Sequence, residues 1–498
     1  MADITQLLEK LKNKPKTELV MVEAAYELAK NAHGEQKRFS GEEYIVHPLV
    51  VAETLADLGM DTPTIVAGLL HDTVEDTSLT TTEIEKKFGK DVAFLVSSVS
   101  KLGKIRYRGK ADIRKEGGRE VMNLRRLFFA MAEDIRVIII KLADRLHNMQ
   151  TLEHVPKSKQ KRIALETLEI FAPIAERLGM GHLKGQLEDL AFPYVYPREY
   201  KWITKHARAN YANRRVYLDG IIPIIRQRLI DNAIEPLDIH SRIKHHYSLY
   251  KKVIAKSMDI DKVYDLVALR IILPTVSACY EALGTIHKFY KPVPGLIKDY
   301  IAMPRPNGYQ SLHTTVFCEG GHIVEFQLRT PEMHQHAENG IAAHWVYSET
   351  GKPHQTFSTK NSGGQAQTKL NKEIEWVAKL RDSLQQNETR QVAGGFMENI
   401  KIEFFKNRIF AFTPKGDVKE LPEGSTPIDF AYAVHSDIGN VTAGAHVNGR
   451  IVPLDYKLKN GEVVEIIKAK KPKPSLDWLR IVKTSEAKKK IRGYFSKK

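Results

Sequence analysis

The sequence predicts a multidomain protein in which an all-α region is followed by an α/β region and then by a small strand-rich unit. Three observations carry this. Residues 1 to about 195 keep helical spacing almost throughout, as in Val22, Ala25, Leu28 and Ala29 and again in Ile163, Leu165, Leu168 and Ala172. Beyond residue 235 the pattern changes: Val263–Leu273 is a run rich in β-branched and aliphatic residues, and Ile323–Arg329 alternates, with Val324, Phe326 and Leu328 facing one way. From about residue 402, short strands and turns crowd around one capped helix. A chain of 498 residues is too long for a single core.

In chain order, residues 1–195 form the helical domain, and 196–347 the α/β domain with a helical lead-in over 196–235. Residues 105–120 mix Arg and Lys with Gly and read as a basic loop. Residues 348–401 read as a linker rich in Ser, Gly, Gln, Thr and Lys over 348–369 and an amphipathic helix over Leu370–Leu384. Residues 402–470 form the strand-rich unit, with strands at Arg408–Phe412 and Val418–Leu421 around a Pro414–Asp417 turn. Thr426, Pro427 and Asp429 are N-cap, first and third residues of a helix running to His435, and two more strands lie near Gly444–Asn448 and Glu462–Ile467. Residues 471–498 form a basic tail.

Apolar residues make up 42% and charged residues 27% of the chain, and no apolar run is long enough to span a bilayer, so no membrane partner is expected. The stretch Met1–Lys14 is charged, unlike a secretory signal, and the two cysteines, Cys279 and Cys318, suit a reducing compartment. A cytoplasmic protein is expected. The 76 basic and 60 acidic residues give a net charge of +16, which favours anionic partners such as nucleotides or RNA.

The heptapeptide His71-Asp72-Thr73-Val74-Glu75-Asp76-Thr77 follows the apolar run Ile65–Leu70. On a regular helix His71, Asp72, Glu75 and Asp76 would share an arc of roughly 140°. One face then offers an imidazole and three carboxylates with no Lys or Arg among them, which is the composition of a hydrolytic metal centre. His47, at the start of a helical pattern, and Asp144, directly after Val137–Ile140, are further ligand candidates. A carboxylate in that second position is ordinarily an exposed helix end. Mixed N/O ligation suits Mn²⁺, although Zn²⁺, Fe²⁺ or Co²⁺ also fit such a set.

A second centre is read from Lys298–Thr314, a loop in which Lys298 and Arg305 can hold phosphates, Tyr309 can stack on a base, and Asn307 and His313 can hydrogen-bond. Upstream, Arg242, Lys244, His245, His246, Lys251 and Lys252 read as a basic helix. Asp265 and Glu325 fall on predicted strands, where a buried carboxylate needs a partner or a purpose. Beside phosphate-binding cations they suit Mg²⁺ and general-base work in phosphoryl transfer.

These motifs, in this order, resemble the long RelA/SpoT homologues, the Rel-type enzymes that make and destroy the alarmones ppGpp and pppGpp. The resemblance covers almost the whole chain: His71–Thr77 and Lys141–Met149; Tyr264–Leu266, Lys298–Phe317, Val324–Thr330 and Glu338–Trp345; and Ile409–Ile467. It implies an all-α HD-type phosphohydrolase domain, an α/β nucleotidyltransferase-like synthetase domain and a β-grasp TGS domain. It implies further that His47, His71, Asp72 and Asp144 ligate Mn²⁺, that Glu75 and Asp76 activate or orient water, and that Arg38, Asn148 and Thr151 hold the guanosine nucleotide. Asp144, Asn148 and Thr151 also recur at helical spacing on one face. In the synthetase, Asp265 and Glu325 would bind Mg²⁺, with Glu325 also drawing the proton from the 3′-hydroxyl of GDP or GTP as it attacks ATP. Arg242 and Lys244 would contact ATP, and Lys298, Asn307, Tyr309 and His313 the acceptor.

The chain departs from the family pattern twice. Bifunctional members carry Arg-x-Lys-Asp in the synthetase loop, and this chain reads Leu296-Ile297-Lys298-Asp299. Long members continue into zinc-finger-like and ACT regions, whereas this chain stops at Lys498. The implied function is a bifunctional (p)ppGpp synthetase and hydrolase. Two other readings are a hydrolase with a weak or silent synthetase, and a module sensing uncharged tRNA on the ribosome through the TGS domain, where His435 matches the residue implicated in that contact.

Overall fold

The computed structural model describes residues 3–100, 130, 133–260, 263, 266–305, 307–343, 408–472 and 474–496. The basic loop at 105–120, the linker, the Leu370–Leu384 helix and Asp265 lie outside the described residues. The rest falls into two compact units, 3–343 and 408–496. Among the described residues no helix is long and apolar enough to cross a membrane.

The first unit begins as stacked helices. The most buried is Thr62–Leu70, in which only Pro63 is not fully buried. It starts where the Asp61 side chain accepts the Thr64 N–H, and Pro63 occupies the first turn, where a missing N–H leaves no bond unmade. Around it lie Lys16–His33, Val46–Asp57, Thr81–Ser100 and Ile135–Gln150. Gly68 permits the closest of these approaches: an added Cβ would sit 2.5 Å from Leu55 Cδ1. Val137, Ile138, Ile139 and Ile140 are wholly buried. Arg136, also buried, bonds to Asp61, Asp91 and Asp134, so one guanidinium ties together the carboxylates that cap two helices.

The spacing Ile163-Leu165-Leu168-Ala172 predicts one helix, but the structure inserts a π-helical turn, Thr167–Phe171, between Lys157–Glu166 and Ala172–Arg177. Gly181–Val195 then leads into the 34-residue helix Pro197–Ile230.

The α/β part is a sheet in the order β1 (Asp238–Ile243), β2 (Val267–Ile272), β6 (Ile323–Arg329), β5 (Leu312–Phe317) and β3 (Lys291–Pro292), with β4 (Lys298–Asp299) also paired to β5. Strands β2 and β6 are parallel and the other pairs antiparallel. Two expectations are corrected here. Arg242 lies on β1, opposite Ala268, and the helix begins only at His246. The ladder between β1 and β2 outweighs the local helical spacing of the basic residues. Along β6, Val324, Phe326 and Leu328 are buried as the alternation predicts, but so are Gln327 and Arg329. This strand is central, and both its faces are covered.

The helical part meets the α/β part through side chains, as in Asp189–His245 and Glu188–Lys251, and at three glycines backbone to backbone. Gly179 (φ +74°) has room for no Cβ, which would lie 3.0 Å from the Asn307 carbonyl oxygen and 3.1 Å from Gly340 Cα. A Cβ on Gly181 would lie 2.8 Å from the Ala337 carbonyl oxygen. At Gly340 (φ +57°) it would run into the Leu178 carbonyl, which accepts the Ile341 N–H at 2.9 Å.

The second unit is a sheet ordered β10 (Arg450–Val452), β9 (Thr442–Val447), β11 (Glu462–Lys468), β7 (Arg408–Phe412) and β8 (Val418–Pro422), with β7 and β11 parallel. The helix Pro427–Val434 packs Phe430 against Ile409, Ala411, Leu421, Val447 and Val464. Strand β10 was not predicted, although Asn448-Gly449, both with positive φ, is a strong hairpin signal.

The basic tail is built into this unit. Trp478, Val482, Ala487 and Ile491 pack on Ile428 and Tyr432. Asp429, fully buried, closes the expected capping box with Thr426. It also accepts the Lys483 N–H at 2.9 Å, the Thr484 N–H at 2.8 Å and the Thr484 hydroxyl at 2.8 Å, at the start of the helix Ser485–Ser496. One carboxylate therefore joins the first turn of one helix to Thr484, whose hydroxyl accepts the Ala487 N–H and caps the next. Asp429→Ala is expected to destabilise this docking by about 3 kcal/mol, because it leaves several buried donors unpaired. Limited tryptic cleavage at the lysines of 483–490 should then rise on the order of a hundredfold.

Candidate metal centre and candidate nucleotide site

His47 enters near the N-terminus of Val46–Asp57, His71 lies just past the end of Thr62–Leu70, and Asp144 sits in the middle of Ile135–Gln150. The ligand atoms of His47, His71 and Asp144 all lie within 4.8 Å of one another. Asp72 joins them: its Oδ1 is 3.1 Å from His71 Nε2 and its Oδ2 3.5 Å from His47 Nε2. His47 Nε2 is 3.2 Å from Asp144 Oδ1.

Two sequence expectations change. Asp144 is no exposed helix end but a buried mid-helix residue, because the apolar run continues as Leu142, Ala143 and Leu146 on both sides of it. The His-Asp doublet does not ride on one regular helix. The helix stops at Leu70, and a separate turn, Thr73–Asp76, begins after Asp72.

The donor set fits a divalent cation. His71 Nδ1 lies 2.8 Å from the Gly68 carbonyl oxygen, which can only accept, so Nδ1 carries the proton. Nε2 is left with a lone pair, fully buried and with no hydrogen-bond partner. Burial opposes protonation of His71, but the Asp72 and Asp144 carboxylates outweigh it and raise its pKa. Burial pushes His47 down. Burial works against ionisation of Asp72, yet the neighbouring His71 holds its carboxyl well below the usual range.

Around these four the structure adds further residues. Lys141, buried, donates to Asp144 Oδ2 at 2.9 Å, and Asn148 Nδ2 donates to Asp144 Oδ1 at 2.5 Å. Arg38 donates from Nη2 to Asn148 Oδ1 at 2.7 Å and from Nη1 to His147 Nδ1 at 2.9 Å. The Thr151 hydroxyl is turned to the His147 carbonyl, at 3.0 Å, where the helix ends. Glu75 and Asp76 lie on the exposed turn after the doublet. The Tyr44 hydroxyl bridges Asp76 Oδ2 (2.8 Å) and Asp72 Oδ2 (3.0 Å). Neither Tyr44 nor His147 stood out in the sequence, since each is defined by partners far along the chain.

In the α/β part, Tyr309 Oη, His313 and Glu325 form a chain: Tyr309 Oη to His313 Nε2 is 2.8 Å, and His313 Nδ1 to Glu325 Oε1 is 3.1 Å. Gln327 Nε2 donates to the same Glu325 oxygen at 2.9 Å. Lys298 is opposite His313 in the β4–β5 ladder. Arg305 lies over the rings of Tyr300 and Tyr309, 4.4 and 5.4 Å from their centroids. The side chain of Asn307 turns away from this chain and donates to the Glu176 carbonyl at 3.0 Å. The Lys244 backbone is fixed by Leu266 and by the Tyr211 hydroxyl. Two arginines were missed. Arg270, buried on β2, pairs with Glu338 at 2.9 Å, and Arg329 is wholly buried on β6. Burial, then the charges of Arg329 and Arg242, bring Arg270 down to about 9. A charge inside the otherwise apolar run Val267–Ile272 was the available signal.

Residues 25–181 match the HD domain, 241–352 the region found in RelA and SpoT proteins, and 409–468 the TGS domain. The chain is 46% identical over 480 residues to a GTP pyrophosphokinase of Myxococcus xanthus, covering 96% of this chain and 61% of that protein. It is 46% identical over 491 residues to a guanosine-3′,5′-bis(diphosphate) 3′-pyrophosphohydrolase of Aquifex aeolicus, covering 98% and 66% respectively. It is 43% identical over 481 residues to the bifunctional (p)ppGpp synthase/hydrolase SpoT of Escherichia coli, covering 96% and 65%. The chain thus spans less than two thirds of the length of these relatives.

Proposed function

The chain is of the RelA/SpoT type, with an HD domain, a RelA/SpoT region and a TGS domain in that order, and from that premise we propose that it both makes and destroys (p)ppGpp. Synthesis transfers pyrophosphate from ATP to the 3′-hydroxyl of GDP or GTP and releases AMP. Hydrolysis returns GDP or GTP and pyrophosphate. The observation that supports this best is the presence in one chain of two separate constellations, one of metal-ligand type around His47, His71, Asp72 and Asp144 and one of proton-transfer type around Tyr309, His313 and Glu325.

We assign hydrolysis to residues 1–195. His47, His71, Asp72 and Asp144 would hold Mn²⁺, which when bound supplies an acidified water and positive charge for the departing phosphate. Glu75 and Asp76 orient that water and take its proton. Arg38 and Asn148 hold the guanosine nucleotide, with Thr151 at the helix end beside them. Arg38 reaches this position from a hairpin whose ends are joined by Lys37 and Glu43.

We assign synthesis to residues 196–347. Asp265 and Glu325 are the carboxylates for Mg²⁺, which supplies charge neutralisation on the phosphates. Glu325 draws the proton from the acceptor 3′-hydroxyl, and His313 fixes the Glu325 oxygen. Lys298 and Tyr309 hold the acceptor nucleotide, with Asn307 anchoring their loop, while Arg242 and Lys244 hold ATP. The TGS unit, 402–470, is the candidate contact for uncharged tRNA on the ribosome. There His435 is exposed and its Nδ1 accepts the Asp437 N–H at 3.2 Å, so it also caps the short helix that follows.

The test is direct. The chain, supplied with ATP, GDP and Mg²⁺, should form guanosine tetraphosphate, and supplied with that product and Mn²⁺ it should release pyrophosphate. Absence of either reaction removes that half of the proposal. The second reading, a hydrolase with a weak synthetase, rests on Leu296, next to the Ile297-Lys298-Asp299 stretch where bifunctional members have Arg. If it holds, Leu296→Arg raises the rate of synthesis severalfold, by about 1 kcal/mol of added phosphate contact. An unchanged rate sets it aside.

A further inference from the structure

His147 is buried, lies outside the proposed ligand set, and touches that set through one atom. Its Nδ1 is 2.9 Å from Arg38 Nη1 and 2.7 Å from His47 Nδ1. A guanidinium has donors only and never loses its proton in a protein. The His147 Nδ1 facing it is therefore an unprotonated acceptor. His47 Nδ1 faces the same lone pair, so at 2.7 Å it must be the N–H partner. In a neutral imidazole that assignment leaves Nε2 with the lone pair, and Nε2 is the atom aimed at Asp144 Oδ1 and Asp72 Oδ2, 3.2 and 3.5 Å away. The His147 ring also lies nearly parallel to that of His47, with centroids 5.0 Å apart and planes 19° apart, so it fixes the orientation as well as the tautomer.

We infer that His147 is a positioning residue of the metal centre: a neutral acceptor that holds His47 with Nδ1 protonated and Nε2 presented to the cation, while sharing the same lone pair with Arg38. His71 has the same arrangement from a different source, with the Gly68 carbonyl as its acceptor. The two imidazoles are thus set for ligation by one backbone and one side-chain partner. Arg38 and His47 share one acceptor.

This inference rests on the metal reading of the His47–His71–Asp144 cluster, and the experiment separates the two. The full chain, stripped of metal, is titrated with Mn²⁺, and free Mn²⁺ is followed by electron paramagnetic resonance. His147→Phe keeps a ring beside His47 but removes the acceptor, and His147→Leu removes it with a different shape, so the loss of the acceptor is read twice, apart from the loss of the ring. His147→Asn can return an amide oxygen near the position of Nδ1. For Phe or Leu the dissociation constant should rise about 10- to 100-fold, read on variants whose metal-free form still melts in one cooperative transition, since the lost acceptor also costs some stability. Asn should remain within about threefold of the unaltered chain. An unaltered chain that takes up no Mn²⁺ overturns the metal reading itself. Phe and Leu variants that bind Mn²⁺ as tightly as the unaltered chain overturn the role of His147 alone, and so does an Asn variant as weak as both.

Discussion

Asp72→Asn is expected to lower hydrolysis of guanosine tetraphosphate at least about a thousandfold and to leave synthesis within about threefold. Asp72 brings the second carboxylate to a centre that otherwise has two imidazoles and Asp144. Its oxygens lie 3.1 Å from His71 Nε2 and 3.5 Å from His47 Nε2, close enough to share one ion with both. An amide keeps the shape but removes the charge that draws a divalent cation. It also weakens the acceptor that Tyr44 bridges to Asp76. No hydrogen bond or ion pair from Asp72 to a residue beyond 195 is present among the described residues, so synthesis has no reason to change. Pyrophosphate release with Mn²⁺ and product formation with ATP, GDP and Mg²⁺ are the two readouts. Loss of both in a folded protein contradicts the assignment of the reactions to separate sites.

Glu325→Gln should do the reverse. A general base contributes about 10²- to 10⁴-fold, and loss of a metal-binding carboxylate adds to that, so synthesis should fall by at least about a thousandfold with hydrolysis intact. The glutamine is nearly isosteric and can still accept from Gln327 Nε2, now at 2.9 Å from Oε1, so the strand should survive. The sheet around it is held by Val324, Phe326 and Leu328, which the substitution does not touch. Retention of more than about a tenth of the synthetic rate would show that the proton leaves by another route.

The sequence pointed to His71 and Asp72 of the candidate metal centre because chemistry restricts such residues. An imidazole and three carboxylates in six residues, with no balancing cation, have few other uses. What it hid was the second layer. Tyr44 and His147 owe their roles to contacts across 28 and 100 residues of chain, and an isolated tyrosine or histidine carries no mark of such a partner. Arg242 illustrates a different failure. Helical spacing of basic residues is real in the sequence, but pairing of β1 with β2 is a long-range term that local pattern cannot include. The capping box at Thr426 and Asp429 was readable because it is local. That Asp429 also receives Lys483 and Thr484 was not, because those donors lie more than fifty residues away.

At Gly179, Gly181 and Gly340 the helical part meets the α/β part main chain to main chain, beside side-chain ties such as Asp189–His245 and Glu188–Lys251, and the Asn307 amide is held there by the Glu176 carbonyl. Side chains at a joint act as springs: they change rotamer and absorb a displacement gradually. Peptide groups in direct contact have no such travel, since their only soft coordinates are the backbone dihedrals. At these three glycines any larger residue would therefore have to part the two main chains before it could fit.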